Sequence, residues 1–408
     1  MQRYDINLNI GQEGRRASDL WAVRVVLVGS PLCTAVLCAL LTFSQSRVWL
    51  WGLVGAVAVA FCMWLVAARL AGRAHWLGWL LALAVVNFLI VVPELLLRAL
   101  DFRYESGIQY GRELGEGFVR FVPDEKLFWK LSPSEPGVNS MGFWGDEIAI
   151  PKSDRVYRIL YLGDSCTQQG YPDIVEIALN HDPPDHTKQY ECVTLAISGY
   201  SSYQGVVLAE EYAGLMEADL AVVYYGWNDH WLAYGAIDTK RVVEVPDNRV
   251  EEYVSSAFHY SRLLQAVRKC WHAVWRNEAE KPLDEVRVSP VQYWKNLNKI
   301  YDAFEVERVP VVFVTAPTSH YSAGVPDMLV AKRFVPDKDF AVRMHRRYNR
   351  IVREVAAEKG AYLLDLEYEL GRLGDSRRVF GEDGIHFTKF GVTLVGQIVS
   401  EFLRKEVL

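Results

Sequence analysis

Four short stretches hold the residue types from which chemistry can be built. Gly163-Asp164-Ser165, Ser198-Gly199-Tyr200 and Gly226-Trp227-Asn228-Asp229 each follow an apolar run, and Asp383-Gly384-Ile385-His386 precedes a last amphipathic stretch. A serine hydroxyl is a weak nucleophile until a base takes its proton. His386 can be that base, and Asp383, three residues earlier across a glycine turn, can hold the imidazole in one tautomer. A tetrahedral oxyanion needs donors aimed at it. The backbone N–H groups of Ser165 and Gly199 and the side-chain amide of Asn228 are candidates. These parts suit acyl transfer.

The elements that must position them are legible as alternation. Apolar strands are expected at Tyr157–Leu162, Cys192–Ile197, Leu220–Tyr225, Val311–Thr315 and Tyr362–Leu366, with helical stretches near 203–216, 290–305, 340–358 and 389–404. Such alternation implies a parallel sheet with helices on both faces. In an open sheet of this kind, ligands sit beyond the carboxyl ends of the strands. Three consecutive strands thus deliver a hydroxyl, a permissive glycine and an amide to one edge.

Gly163-Asp164-Ser165, the run from Ile197 to Gly205, Gly226-Trp227-Asn228-Asp229 and Asp383-Gly384-Ile385-His386 resemble, in order, the four sequence blocks of SGNH/GDSL hydrolases, across residues 155–404. The resemblance implies a flavodoxin-like three-layer α/β/α domain with a parallel sheet. It makes Ser165 the nucleophile, His386 the base and Asp383 its orienting acid, with Ser165, Gly199 and Asn228 forming the oxyanion hole. Cys166 stands where many members have an apolar residue, and Thr194 where second blocks often carry asparagine. The implied activity is a serine esterase, with carbohydrate O-acetyl groups the leading substrate. An O-acetyltransferase acting on a glycan, a lipase or lysophospholipase, and a non-catalytic envelope scaffold are the alternatives.

The first hundred residues differ in kind. Apolar runs at 25–43, 48–67 and 76–97 each match the roughly 20 residues that cross a ~30 Å hydrocarbon layer as a helix, and they lack a polar stripe. Arg3, Arg15, Arg16 and Arg24 precede the first run, and Arg69 and Arg73 separate the second from the third. By the positive-inside rule the N-terminus is cytoplasmic, and everything after the third span lies outside, in the periplasm or extracellular space. Pro93 and Glu94 suggest a kink and an interfacial exit. The expected organisation is a membrane anchor of three transmembrane helices over 1–98, a juxtamembrane connector over 99–150, and a hydrolase domain over 151–408. Residues 230–290 form a long excursion within that domain, either a lid or a helical decoration.

Composition excludes several classes. A net charge of −6 argues against a nucleic-acid partner, since no basic stripe could neutralise a phosphate backbone. The expected partners are the lipid bilayer and a carbohydrate or small ester. No cofactor motif is present. His181-Asp182-Pro183-Pro184-Asp185-His186 looks like a metal cluster, but its two prolines favour a surface loop. Cys166, Cys192 and Cys270 have no disulfide or zinc spacing and are expected to be buried thiols. His320 is placed toward the active edge, as a substrate contact or as scaffolding. Trp227, Trp231 and Tyr234 are candidate sugar-facing rings.

Overall fold

The computed structural model describes residues 89–100, 102, 121–133, 135–243, 245, 261–274, 282–373 and 376–408. The chain divides into two compact units. One comprises 107–245 and 277–408; the other comprises 1–106 and 246–276.

The larger unit opens with an antiparallel hairpin, β1 (Phe121–Asp124) and β2 (Phe128–Leu131). Five parallel strands follow: β3 (Val156–Gly163), β4 (Gln189–Thr194), β5 (Leu220–Tyr224), β8 (Val311–Val314) and β9 (Tyr362–Leu364). Between β5 and β8, the short strands β6 (Leu232–Tyr234) and β7 (Pro282–Val286) pair as an antiparallel ribbon. The sheet order is β4-β3-β5-β8-β9. Counted among the five sheet strands alone, this is the second-first-third-fourth-fifth order of flavodoxin-like folds, with its switch point between the first and third.

Side-chain alternation along the strands builds the three layers. Leu160, Leu162, Ala221, Val223, Val311 and Phe313 point into one core, which the helices 202–212, 290–306 and 338–359 complete. Ile159, Tyr161, Leu220, Val222, Val312 and Val314 point into the other, beneath the helices 171–181 and 389–402. The central strands are apolar on both faces, as expected of a covered parallel sheet.

Residues 121–149, expected as connector, are part of this unit. Leu127, Phe128, Trp129, Leu131 and Phe143 are buried in the first core. Arg158, fully buried at the base of β3, donates to Ala149 O at 2.9 Å and Met216 O at 2.7 Å and pairs with Glu191 at 2.6 Å. A buried guanidinium needs every donor matched, and these bonds tie the stretch before 150 to the sheet. The boundary expected at 151 therefore falls inside a packed body.

The first two expected spans, and the third up to residue 88, lie outside the described residues. Residues 89–99 are helical. Among the described residues, no helix is long and apolar enough to cross a membrane. Within this smaller unit, Glu94 pairs with Arg98 at 2.8 Å. Its carboxylate also accepts from Ser261 Oγ at 2.9 Å and from the N–H groups of Arg262 (3.1 Å) and Leu263 (2.7 Å). Those N–H groups open the helix Arg262–Val274. A helix N-terminus has unsatisfied donors and a partial positive charge, and Glu94 answers both. The excursion expected at 230–290 is accordingly two things: the β6–β7 ribbon in the larger unit, and a helix capped from the N-terminal segment.

Candidate active site

The turn after β3 sets a largely buried serine hydroxyl at the start of a helix. A Cβ at Gly163 would lie 2.2 Å from Thr167 Oγ1, so only glycine lets the strand run that close to the next helix. Asp164 caps that helix, Ser165–Gln168, by accepting from Cys166 N at 2.9 Å. Ser165 becomes its first residue, where a backbone N–H has no partner within the helix.

Ser165 Oγ is 2.8 Å from His386 Nε2. His386 Nδ1 is in short hydrogen-bonding contact with Asp383 Oδ2. A carboxylate only accepts, so Nδ1 carries the proton and Nε2 presents its lone pair to the serine. Burial pushes the Asp383 carboxyl up. The bond from His386 and the N–H groups of Ile385 (2.9 Å) and His386 (3.0 Å) outweigh it and hold the group below its usual value. The structure thus brings together Ser165, His386 and Asp383, all three expected from sequence.

Neighbouring side chains hold the histidine loop. Gln169 Nε2 donates to Phe387 O at 2.9 Å, and Gln169 Oε1 accepts from Phe387 N at 2.8 Å. One amide therefore clamps the residue after His386 to the serine helix. His320 Nε2 is 2.7 Å from Asp383 O; a carbonyl only accepts, so the ring donates and the scaffold reading of His320 holds. Gly384, at φ +72°, packs so tightly that a Cβ would lie 2.5 Å from His320 Cδ2. Thr318 Oγ1 and Ser319 N both donate to Gly384 O, at 2.9 and 3.1 Å.

Gly199 and Asn228 also reach this edge. Neither the Ser165 nor the Gly199 N–H has a hydrogen-bond acceptor among the described residues. Asn228 is different: its Nδ2 donates to Asp164 Oδ2 at 3.2 Å and to Tyr200 O at 3.0 Å. Both amide protons are engaged, so Asn228 would reach an oxyanion only by releasing one bond, the longer being that to Asp164. Burial raises the Asp164 carboxyl to about 6, against the opposing pull of Cys166, His386 and Asn228.

Some expectations are corrected. Trp227 is buried and stacks on His345 with ring centroids 3.9 Å apart, so its ring cannot face a sugar. Trp231 and Tyr234 stay partly exposed, Trp231 packing on Phe334 at the same centroid distance and Tyr234 OH donating to Lys332 O at 2.8 Å. Cys166 is buried and Cys192 partly so, but Cys270 is exposed; all three are free thiols. His181 closes the helix 171–181, and Asp185 accepts from Thr187 in the following turn. Among the described residues, no group of three or more His, Cys, Asp or Glu side chains is placed to hold a metal ion.

Residues 161–394 match the GDSL-like Lipase/Acylhydrolase family. That is more than half of the chain, and all four blocks lie inside the match. The chain belongs to this family and is an enzyme acting on ester bonds. The chain is also similar to several solved structures. A lipase/acylhydrolase from Enterococcus faecalis is 14% identical, with 61% of this chain and 95% of that one covered and a TM-score of 0.40. An acetylxylan esterase from Geobacillus stearothermophilus is 15% identical, with 61% and 93% covered and a TM-score of 0.37. A GDSL-like lipase from Bacteroides thetaiotaomicron is 15% identical, with 64% and 93% covered and a TM-score of 0.37. No curated protein matches the chain.

The buried histidines behind Trp227 generate a pH prediction. His345 Nε2 donates to Ala316 O at 2.8 Å, so its Nδ1 accepts from His230 Nε2 at 3.1 Å; both rings are neutral. Burial lowers His345 to about 4 and His230 well below its ordinary value. The unfolded chain takes up protons near 6.5 while the folded one does not. Their stabilisation is therefore complete above pH 6.5 and is lost as pH falls toward 4. The slope is up to about 1.4 kcal/mol per pH unit for each histidine. Asp164 and Asp229, raised by burial, work the other way in this window, so the histidine share is read by comparing thermal unfolding of wild type and variant, followed by tryptophan fluorescence from pH 7.5 to 4.5. His345→Gln, which keeps a donor for Ala316, should make the decline shallower; an unchanged slope would contradict the assignment.

Proposed function

We propose that the protein is a membrane-anchored serine esterase that removes short acyl groups, chiefly O-acetyl, from an extracytoplasmic carbohydrate or related envelope substrate. The observation that carries the catalytic part is the 2.8 Å bond from Ser165 Oγ to a histidine lone pair, with two N–H groups at the same edge that find no acceptor among the described residues.

Ser165 Oγ attacks the acyl carbonyl carbon as its proton passes to His386 Nε2. The Ser165 and Gly199 N–H groups take the oxyanion, and Asn228 joins them once it turns from Asp164. The imidazolium, held by the Asp383 carboxylate, protonates the leaving alkoxide as its bond to the acyl carbon breaks. Water then repeats the sequence against the acyl-serine, and its oxygen leaves in the acid.

The short-acyl preference rests on the chain just past Asn228. Asp238 is buried, Lys240 is exposed, and Arg241 donates to Tyr234 O and Ala236 O at 2.7 and 2.9 Å. A long acyl chain gains about 0.8 kcal/mol per buried methylene, but only in a closed apolar channel. A turn fastened by a guanidinium supports an open, polar edge instead. With the full-length protein, p-nitrophenyl acetate and propionate should be turned over well and octanoate poorly. Ser165→Ala should remove on the order of 10⁴–10⁶ of the turnover. A steady rise in kcat/KM from two to ten carbons would replace this reading with a lipase.

The anchor rests on the three apolar runs and the arginines that flank them. An alkaline phosphatase fusion after Leu408 should be active in a bacterial host, and one after Gly72 inactive. The reverse pattern would overturn the orientation.

A further inference from the structure

A glycine in an oxyanion loop poses a mechanical problem. Gly199 sits at φ +85°, a region open to glycine and costly for other residues. The same freedom lets its N–H swing away from the reacting carbonyl. Something outside the glycine must fix the peptides on either side of it.

The carbonyl of the Ser198–Gly199 peptide accepts from Trp129 Nε1 at 3.2 Å. A trans peptide is planar, with its C=O and N–H directed oppositely. Fixing Ser198 O on one side therefore aims the Gly199 N–H to the other. The carbonyl of the next peptide, Gly199 O, accepts from Arg287 Nη1 at 2.7 Å. Ser198 N is itself held by Gln168 Oε1 at 2.5 Å, one turn beyond the nucleophile.

Both clamping residues are themselves locked. Arg287 forms a two-pronged pair with Asp238: Nε to Oδ1 at 3.1 Å and Nη2 to Oδ2 at 2.9 Å, with no side-chain exposure on either partner. Asp238 also accepts from Ser201 Oγ at 2.7 Å. Trp129 returns its own carbonyl to Tyr200 OH at 2.7 Å and packs on that ring at 5.7 Å between centroids. The two come from opposite sides of the sequence, Trp129 from the β1–β2 hairpin and Arg287 from the end of the β6–β7 ribbon. A buried ion pair is costly unless geometry and hydrogen bonds compensate it, and here one of those bonds is to the carbonyl of the oxyanion glycine.

We propose that Trp129 and Arg287 are positioning residues of the oxyanion hole, holding the two peptides around Gly199 so that its N–H faces the acyl oxygen at Ser165. The inference rests on the serine-esterase reading and adds to it that the hairpin and the ribbon are working parts of the catalytic machinery. It assigns a specific share of transition-state stabilisation to two side chains that never touch substrate.

The test uses the full-length protein with Trp129→Phe, which keeps the ring and removes only the N–H, and Arg287→Lys, whose single ammonium cannot serve both Asp238 and Gly199 O. Turnover of p-nitrophenyl acetate and inhibition by phenylboronic acid, which forms a tetrahedral adduct on serine, are measured together. Trp129→Phe should lower kcat roughly 10-fold and Arg287→Lys roughly 10²-fold, at or below the roughly 10²–10³ lost with a whole oxyanion donor. KM should stay within about twofold, and the boronate inhibition constant should rise in parallel with the loss in kcat. A merely structural role would lower the melting temperature without linking boronate affinity to kcat. That pattern, or wild-type kcat and boronate affinity in Trp129→Phe, overturns the proposal. If Arg287→Lys does not fold, Trp129→Phe decides alone. Ser165→Ala is run alongside: turnover surviving there would refute the nucleophile itself rather than its oxyanion clamp.

Discussion

The hydrogen bond between Ser165 Oγ and His386 Nε2 joins residues 221 positions apart, and much of the fold can be understood as the apparatus that keeps it. The serine is fixed by a strand end, a glycine that admits no side chain and an aspartate cap. The histidine sits on a loop with no sheet of its own, so its position must be imposed from outside. Gln169 does this from the serine helix, gripping both backbone groups of Phe387. His320, Thr318 and Ser319 do it from the end of β8, gripping the carbonyls of Asp383 and Gly384. Displacing reacting groups by an ångström costs orders of magnitude in rate, which gives these remote bonds their value.

Burial of polar groups is the physical cost of that apparatus. Asp164, Asp229, Asp238, Arg287, His230 and His345 are all buried at or behind the active edge. Each has found partners: Asp229 accepts from Ser202 N and Oγ, and Asp238 and Arg287 take each other. Burial still raises the Asp229 carboxyl to about 7, against the bonds from Ser202 and the charge of Arg287. Such groups are expensive to leave unmatched, so a sequence that places them here constrains the loops around them to one arrangement.

Much of this was legible in the sequence, for reasons of pattern. The strands β3, β5, β8 and β9 lie within a residue or two of expectation; for β3, β5 and β8 the reason is that strands covered on both faces read as continuous apolar runs. The triad and the two glycine-bearing loops were readable because each sits immediately after a strand or before a helix. β4 is displaced, running from Gln189 to Thr194 rather than from Cys192 to Ile197. It is an edge strand whose exposed Gln189 and partly exposed Glu191 interrupt the apolar signal. The helix 171–181 was missed, although Pro172 in its first turn is a recognisable start signal. Trp129, Gln169, Asp238 and Arg287 could not have been found by spacing. Their partners lie tens to hundreds of residues away, and a tryptophan, a glutamine or an ion pair carries no local sign of which distant carbonyl it will hold. For the same reason 121–149 reads as connector, and 230–290 as one excursion, lid or helical decoration, rather than a ribbon plus a separately capped helix.

The central claim is that Ser165, activated by His386, is the residue that becomes acylated. Its most direct test is to treat the full-length protein with a fluorophosphonate, digest it, and locate the adduct by mass spectrometry. The account requires stoichiometric labelling on Ser165, with the label lost in His386→Ala although the serine is still present. A label on another residue, or undiminished labelling of Ser165 without the histidine, would contradict it.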